Sequence, residues 1–262
     1  DPMPDQIWDE IIGDGPLVAT AIHDGTEVRE ELLRLFALDA AGRLREEDPF
    51  TALWTAAAPT RLIGVRSRFE VDLNRPRESA VYLTPDDAWG LEVWREPLGE
   101  EIKQASLAEY DAFYERLREI LDEKVERYGK FIVLDLHSYN YRRSGPLEPE
   151  SSAEENPDVN VGTGTMDRER WAPVVDRFIS DLRAFDFLGD TLDVRENVRF
   201  RGAQLVRWIH ENYPETGCAL AIEVKKFFMD EWTGTPEPER VDAIGSALAW
   251  TAHGLIEELA SR

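Results

Sequence analysis

A continuous apolar run, KFIVLDLHSY at residues 130–139, constrains the fold more than any other segment of the sequence. It has the composition of a strand that is buried on both faces of a sheet. Directly before it, residues 106–128 carry apolar side chains at helical spacing, and Gly129 supplies a stop signal. Ser106 and Glu109 have the spacing of a capping box, which predicts that this helix begins near Ser106. An amphipathic helix followed at once by a buried strand predicts an α/β fold.

The same alternation of short apolar runs and amphipathic segments continues along the chain, without an internal repeat or a low-complexity tract. It predicts strands at 16–23 and 218–228, a strand and turn at 61–75, helices at 27–38, about 168–185, 202–212 and about 239–260, and a loop at 140–167. A loop of that length is expected to be functional or partly disordered. With 262 residues, the chain is long enough for one α/β domain over residues 1–262 and short for two.

The charge balance narrows the possible partners. The sequence holds 53 Asp and Glu against 30 Lys and Arg, which gives a net charge of −23. Such a surface repels nucleic-acid phosphates and anionic lipids. The expected partner is therefore a small molecule, and neither a nucleic acid nor a membrane.

Several features predict a cytoplasmic protein. No segment approaches the roughly 20 apolar residues that span a bilayer, and the acidic N-terminal segment lacks a signal-peptide pattern. Cys218 is the only cysteine, so no intramolecular disulfide is possible, and a buried thiol is expected there. The sequence leaves the oligomeric state open.

Polar side chains that suit metal chemistry stand at the ends of three predicted strands. His23 and His137 end two of them, and Glu223 interrupts the apolar run of a third. Ligands of open α/β sheets bind at the carboxyl ends of strands, and catalytic zinc takes three His or carboxylate ligands plus water. His23 and His137 are therefore the candidate nitrogen ligands. The remaining histidines, His210 and His253, lie on predicted helices and are expected to be structural or solvated.

The acidic partners are less well defined by the residues alone. The third metal ligand could be any of four acids: Asp24, Glu27, Glu47 and Asp48. Asp135 lies two residues before His137 on the same strand face, which makes it a candidate for orienting the imidazole. An ionised Glu223 is costly in an apolar strand unless it meets an arginine or faces a cleft, and both interpretations remain open.

Arg68, Asn74 and Arg75 lie together in the string RFEVDLNRPR. Arginine binds a carboxylate through a bidentate fork, which lysine cannot do. In so acidic a chain, salt bridges to neighbouring acids would also explain these arginines, and the residues alone favour that interpretation.

Two of these strings, SRFEVDLNRPR and VLDLHSY, preceded by AIHDGTEVREEL, resemble the signature segments of the N-formylglutamate amidohydrolase family. The resemblance runs in order from about residue 16 to about residue 228, and DLNR is its most specific part. It implies the phosphorylase/hydrolase-like fold of zinc carboxypeptidases and aspartoacylases, a three-layer α/β sandwich around a mixed, largely parallel central sheet.

The resemblance also implies a role for individual residues. The matched positions are His23 and His137 as zinc ligands, Arg68, Asn74 and Arg75 on the substrate carboxylate, and Glu223 as the catalytic glutamate. The loop around NPDVNVGTG is similar to the family's pattern and is expected to line the pocket.

One departure from the wider superfamily bears on the third ligand. Carboxypeptidases and aspartoacylases have a His-x-x-Glu motif, whereas Glu27 lies one residue further from His23. The later acidic stretch REEDPFT is the one that resembles the formylglutamate hydrolases. Asp48 is therefore the favoured zinc ligand, with Glu47 and Glu27 as alternates.

The expected function is zinc-dependent hydrolysis of an N-formyl or N-acyl amino acid that carries a free carboxylate, such as N-formyl-L-glutamate. A small zinc carboxypeptidase or another N-acyl amino-acid deacylase would use the same chemistry. A non-catalytic binding protein for an acidic metabolite is the alternative from a different class.

Overall fold

The computed structural model describes residues 5–261. In that range the strands are β1 (Trp8–Ile11), β2 (Leu17–Ala21), β3 (Thr60–Gly64), β4 (Phe131–Tyr139), β5 (Val159–Gly162), β6 (Val194–Glu196) and β7 (Gly217–Lys225). The helices are α1 (Glu30–Leu33), α2 (Ala40–Leu44), α3 (Thr51–Trp54), α4 (Glu100–Tyr128), α5 (Ala172–Ala184), α6 (Gln204–Asn212) and α7 (Pro238–Ala260).

The strands form one sheet in the order β1-β3-β2-β4-β7-β5-β6. The four strands β3, β2, β4 and β7 run parallel to one another. β1 and β5 are antiparallel to their inner neighbours, and β6 is parallel to β5. β4 is buried at every position, as expected for a central strand covered on both faces. The predicted α/β fold with a mixed, largely parallel sheet is confirmed.

Helices pack on both faces of this sheet. On one face, Leu134 of β4 and Leu220 of β7 share a hydrophobic core with α5 and α7. On the other face, Val133 and Ala219 share a core with α4 and α6. Successive residues of a strand point to opposite faces, so the apolar character of β4 and β7 fills both cores and produces three layers.

The strand register brings the chemically interesting residues to one edge of the sheet. β2, β4 and β7 are parallel neighbours, so their carboxyl ends lie together. His23 follows the end of β2, and His137 and Glu223 are register partners near the ends of β4 and β7. The predicted position of these three residues at strand ends is confirmed.

The longest helix begins earlier than predicted. α4 starts at Glu100, one turn and more before Ser106, and the capping-box prediction is therefore wrong. Residues 100–105 are themselves mostly good helix formers, so the helix extends through them. Ser106 and Glu109 lie within α4, away from its first turn, and both are buried. Their side chains accept hydrogen bonds from the Arg29 guanidinium.

Three strands lie outside the predicted elements. β1, β5 and β6 have no more than four residues each, which is too short for a recognisable pattern. β5 lies within the segment 140–167 that was predicted as a loop. Pairing with the longer neighbours supplies the stability that the local sequence lacks. The helix predicted at 27–38 is reduced to the single turn of α1.

The two histidines of the helices have the roles expected for them. His210 on α6 is buried, its Nδ1 lies 2.8 Å from Oγ1 of Thr165, and its Nε2 accepts the backbone N–H of Ala219 at 3.0 Å. Burial lowers the pKa of His210 to about 4, so the ring is neutral at pH 7. His253 on α7 is exposed.

Cys218 is buried in the core, as predicted. Among the helices of the described chain, none combines the length and the apolar character that spanning a bilayer requires.

Candidate metal centre and active site

His23, Asp48 and His137 form a buried cluster at the carboxyl ends of β2 and β4. Within residues 5–261 they are the one group of His, Cys, Asp or Glu side chains placed to hold a metal ion, with their donor atoms within 4.8 Å of one another. Oδ2 of Asp48 lies 3.1 Å from Nδ1 of His137 and 3.5 Å from Nδ1 of His23. The imidazole rings stand edge to face with centroids 4.9 Å apart. Both Nδ1 atoms therefore face one carboxylate.

The opposite nitrogen of each ring faces a further carboxylate. Nε2 of His23 lies 2.6 Å from Oδ1 of Asp72. Nε2 of His137 lies 2.9 Å from Oδ2 of Asp135, but the two groups are not aligned for a hydrogen bond. The hydroxyl of Thr20 donates to the other oxygen of Asp135 at 2.8 Å. Asp135 thus lies where it was expected to orient an imidazole. Asp72, its counterpart on His23, was not predicted, and its position within the DLNR string is the signal that could have found it.

The charges in this cluster favour a positive charge, either a proton or a metal ion, between the inner donor atoms. A neutral imidazole has one N–H and one nitrogen lone pair. A neutral ring between two carboxylates therefore points its lone pair at one of them, unless a proton or a metal ion lies between that nitrogen and the carboxylate. Burial lowers the pKa of His137, but Asp135 and Asp48 outweigh it and hold that pKa well above its usual value. Metal-binding histidines commonly bind the metal through one nitrogen and a carboxylate through the other. The donor set fits zinc, which takes imidazole nitrogen and carboxylate oxygen in catalytic sites.

Asp48 belongs to a turn, residues 45–48, in which each side chain has a partner. Arg45 donates to Glu231 at 3.1 Å, and Glu46 accepts from Arg143 at 2.7 and 2.9 Å. Glu47 accepts a hydrogen bond from the hydroxyl of Ser67 at 2.6 Å. Asp48 accepts one from the hydroxyl of Ser138 at 3.1 Å. The turn therefore directs Glu47 away from the histidines. Glu27 is exposed, and Asp24 accepts the backbone N–H of Ala52 at the start of α3. Of the four candidate acids, the structure brings Asp48 to the histidines.

Glu223 lies on the same sheet face as His137 and lines the same pocket. Its side chain makes neither an ion pair nor a hydrogen bond with any residue of the described range 5–261. The arginine partner that the sequence left possible is therefore not found there. Burial raises the pKa of Glu223 to about 8; His137 opposes this rise, and Asp48 and Asp135 add to it.

The two arginines of the RFEVDLNRPR string differ in how they are held. Arg68 donates to Oη of Tyr82 at 2.9 Å, to the Glu46 carbonyl at 2.9 Å and to Oδ2 of Asp72 at 3.0 Å. The Arg75 guanidinium makes no hydrogen bond to a described residue; it lies over the Tyr82 ring at 4.3 Å and 3.6 Å from Asp72. Arg75 therefore keeps its donors available, whereas Arg68 has committed three of them.

Asn74 lies between this loop and α6. Its Oδ1 accepts the backbone N–H of Leu205 at 3.0 Å, and its carbonyl accepts that of Gln204 at 3.3 Å. The contact fixes the orientation of the Asn74 amide beside Arg75.

These residues line one cavity of about 300 Å³. Asn140 and Arg143, from the segment 140–167, form part of its wall, together with Phe200. Asn160 on β5 is the register partner of Glu223, and its side chain accepts the backbone N–H groups of Arg199 and Phe200 at 2.9 and 3.3 Å. The NPDVNVGTG segment thus holds a wall of the pocket in place.

The comparison with protein families decides the class of the chain. Residues 15–229 match the family model described as N-formylglutamate amidohydrolase. The chain belongs to this family. The protein is accordingly a hydrolase that acts on amide bonds, and the resemblance drawn from the DLNR and DLHS strings is confirmed.

Two solved structures share the fold of this family member. The first is N-formylglutamate amidohydrolase from Ralstonia eutropha JMP134, with a TM-score of 0.76 and 20% identity over 98% of this chain and 99% of that one. The second is a gene product of Agrobacterium tumefaciens, with a TM-score of 0.67 and 19% identity over 95% of each chain. At these identities the likeness shows the fold alone. A comparison with curated proteins finds no significant match.

Sequence reasoning missed several residues of the pocket of this amidohydrolase. Arg143 and Phe200 line it but lie away from every predicted strand end, and Lys226 lines it from within the predicted strand 218–228. Lys226 directly follows β7 in the run EVKKFF, and that position was the available signal.

Proposed function

We propose that this protein is a zinc-dependent amidohydrolase that cleaves the amide of an N-formyl or N-acyl amino acid, with N-formyl-L-glutamate as the leading substrate. The observation that carries this proposal is the buried group of His23, Asp48 and His137 next to a Glu223 that has no protein partner within residues 5–261. A partly buried carboxylate whose pKa is raised and whose side chain makes no ion pair or hydrogen bond within residues 5–261 is a good candidate for moving protons.

The positions of the side chains suggest a separate role for the metal ion and for Glu223 in this reaction. Zinc held by His23, Asp48 and His137 supplies electrophilic polarisation of the substrate carbonyl and lowers the pKa of water. One oxygen of Glu223 takes a proton from the attacking water and later delivers it to the nitrogen of the departing amine. Water adds to the carbonyl carbon, the C–N bond breaks, and the products are a carboxylic acid and a free amino acid.

Asp72 and Asp135 keep the two histidines in place for this chemistry. Each carboxylate faces the Nε2 atom of one ring, which leaves Nδ1 as the inward donor. At His23 the hydrogen bond to Asp72 fixes the tautomer, and at both rings the nearby carboxylate raises the basicity of the ring nitrogen.

Arg75 is the main reader of the substrate's α-carboxylate in this proposal. Its guanidinium lines the pocket with its donors uncommitted, and Asn74 adds an oriented amide beside it. Arg68, already bound to Asp72 and Tyr82, holds this wall rigid and keeps two N–H groups for the substrate. A bidentate contact to the carboxylate places the scissile carbonyl next to the metal ligands.

The charge of the pocket supports an acidic amino acid as the leaving group. Of the described side chains that line it, five are cationic and four are carboxylates, in a chain whose net charge is −23: Arg45, Arg68, Arg75, Arg143 and Lys226 against Glu46, Asp48, Asp72 and Glu223. Arg143 binds Glu46 through its two terminal nitrogens, which leaves the Nε edge of the guanidinium open. That edge can donate hydrogen bonds to a second carboxylate.

The proposed function is tested by measuring the products released from defined substrates. Protein reconstituted with one equivalent of zinc is expected to release formate and glutamate in equal amounts from N-formyl-L-glutamate, and metal-free protein is expected to release neither. Faster cleavage of a C-terminal peptide bond would instead identify a carboxypeptidase. Saturable binding of N-formyl-L-glutamate without turnover in the zinc-loaded protein would identify a binding protein.

A further inference from the structure

Lys226 is a buried cation that contributes to the charge of the pocket but has no individual role in the proposed chemistry. It follows β7 directly, is 1% exposed, and lies in the wall of the pocket. No carboxylate within residues 5–261 lies at ion-pair distance from its ammonium group. Burying a charge without an acidic partner is unfavourable, so its hydrogen bonds must account for its presence there.

Those hydrogen bonds go to the turn that carries Asp48. Nζ of Lys226 donates to the carbonyl of Arg45 at 2.8 Å and to the carbonyl of Glu47 at 3.0 Å. Nδ2 of Asn140, just beyond β4, donates to the same Arg45 carbonyl at 2.8 Å. The intervening carbonyl of Glu46 accepts from Arg68. Three successive backbone carbonyls before Asp48 are therefore held by side chains from other parts of the fold.

The turn needs such support because it has no regular structure of its own. Residues 45–48 lie between α2 and α3 and belong to neither a helix nor a strand. His137, by contrast, is fixed by the β4–β7 ladder. The backbone N–H of Asp48 donates to the carbonyl of His23 at 2.8 Å, which holds one end of the residue. The carbonyls just before it are held mainly by Lys226 and Asn140.

We propose that Lys226 is a positioning residue for the Asp48 carboxylate, and that Asn140 shares this role through the Arg45 carbonyl. The two side chains anchor the carbonyls of Arg45 and Glu47 to the ends of β7 and β4, the same strands that carry Glu223 and His137. The third metal ligand is thereby fixed in register with the other groups of the site. This role rests on the proposed metal site.

The chain offers a matched control for this inference. Lys124 on α4 is also 1% exposed, and its Nζ donates at 2.8 Å to the carbonyl of Gly13. Gly13 precedes β2, whereas the proposed metal ligands lie at the carboxyl ends of the strands, so Lys124 is at the other end of the sheet. Lys124→Met and Lys226→Met remove the same charge and the same kind of hydrogen bond. A merely structural role predicts that both variants lower the melting temperature of the metal-free protein and leave zinc affinity alone.

The test is the dissociation constant of zinc, measured by competition with a chelator for the wild type, Lys226→Met, Lys124→Met and Asn140→Ala. Loss of a group that orients a metal ligand raises this constant on the order of 10–100-fold. We expect such a rise for Lys226→Met, a smaller rise for Asn140→Ala, and a value within about threefold of the wild type for Lys124→Met.

The outcomes separate this inference from the proposed function. If the wild type binds one zinc per chain and Lys226→Met binds it equally tightly, the positioning role is wrong while the metal site stands. If Lys226→Met does not fold, an unchanged zinc affinity in Asn140→Ala likewise overturns the positioning role, and a weakened affinity supports it. If the wild type itself binds no zinc, the proposed metal site and the positioning role are both wrong.

Discussion

His137 and Glu223 are direct register partners across the parallel β4–β7 ladder. Their side chains therefore leave the sheet on the same face and at the same level. In the proposed mechanism, the backbone hydrogen bonds between β4 and β7 thus hold a metal ligand and a proton acceptor next to each other. The relative position of these two side chains is thus set by the sheet, whereas Asp48 lies on the turn at residues 45–48.

Replacing Glu223 by glutamine tests its role as the base. Glutamine keeps the shape of the side chain but cannot accept a proton, so turnover of N-formyl-L-glutamate is expected to fall by roughly 10²–10⁴-fold. Zinc content and melting temperature should change little, because Glu223 has no partner within the described chain. Glu109→Gln is the matched control. Burial and the neighbouring Glu70 raise the pKa of Glu109 to about 9, as burial raises that of Glu223, but Glu109 lies on α4 and does not line the pocket. Normal turnover in Glu223→Gln would remove this residue from the mechanism.

Arg75→Lys tests how the α-carboxylate of the substrate is read. Lysine keeps the charge but loses the bidentate fork, so we expect KM to rise by on the order of tenfold with a smaller effect on kcat. Arg77→Lys, whose guanidinium binds the exposed Asp111 at 2.7 and 2.8 Å, is the control that should behave as the wild type. If the α-methyl ester of the substrate is hydrolysed as fast as the free acid, no residue reads this carboxylate.

Arg143→Gln tests recognition of the substrate's side-chain carboxylate. Hydrogen bonds to a charged group contribute about 1.5–3 kcal/mol, so kcat/KM for N-formyl-L-glutamate is expected to fall roughly 10–100-fold. The value for N-formyl-L-glutamine should stay nearly constant, because that substrate has no second charge. Arg142→Gln is the control, since Arg142 pairs with the exposed Glu150 and does not line the pocket. Equal losses on both substrates would show that Arg143 does not discriminate between them.

The strand-end histidines could be predicted because a buried parallel strand has an unmistakable composition, and KFIVLDLHSY ends at His137 and the two residues after it. The convergence of Asp48 on these histidines could not be worked out from local sequence, since it sits in a turn fixed by distant residues such as Lys226 and Asn140. Only the family resemblance pointed to it. The difference between Arg68 and Arg75 is invisible in the sequence for the same reason, because Tyr82 and Asp72 decide which guanidinium is committed.

The short strands and the start of α4 show where local sequence fails to predict the secondary structure. β5 has four residues in a polar segment and becomes a strand through its pairing with β7. Ser106 and Glu109 have the local signature of a helix start, but both side chains bind Arg29. Tertiary contacts outweigh local pattern at these places.

His210 predicts how stability depends on pH. The pKa of His210 is lowered to about 4 by burial, whereas an unfolded histidine titrates near 6.5. The unfolded chain therefore binds a proton first, and the contribution of His210 to stability is complete above about pH 6.5 and is lost progressively as the pH falls towards 4. Between pH 7 and pH 5 this amounts to about 2 kcal/mol. Denaturant unfolding at both pH values should show a smaller loss for His210→Gln than for the wild type; equal losses would mean that His210 is protonated without cost.

The metal centre is tested most directly by anomalous X-ray scattering at the zinc edge from crystals of the zinc-loaded protein. We predict one peak per chain, within roughly 2.0–2.2 Å of Nδ1 of His23, Nδ1 of His137 and a carboxylate oxygen of Asp48. A zinc peak bound elsewhere, in crystals of protein that hydrolyses N-formyl-L-glutamate, would contradict this metal centre.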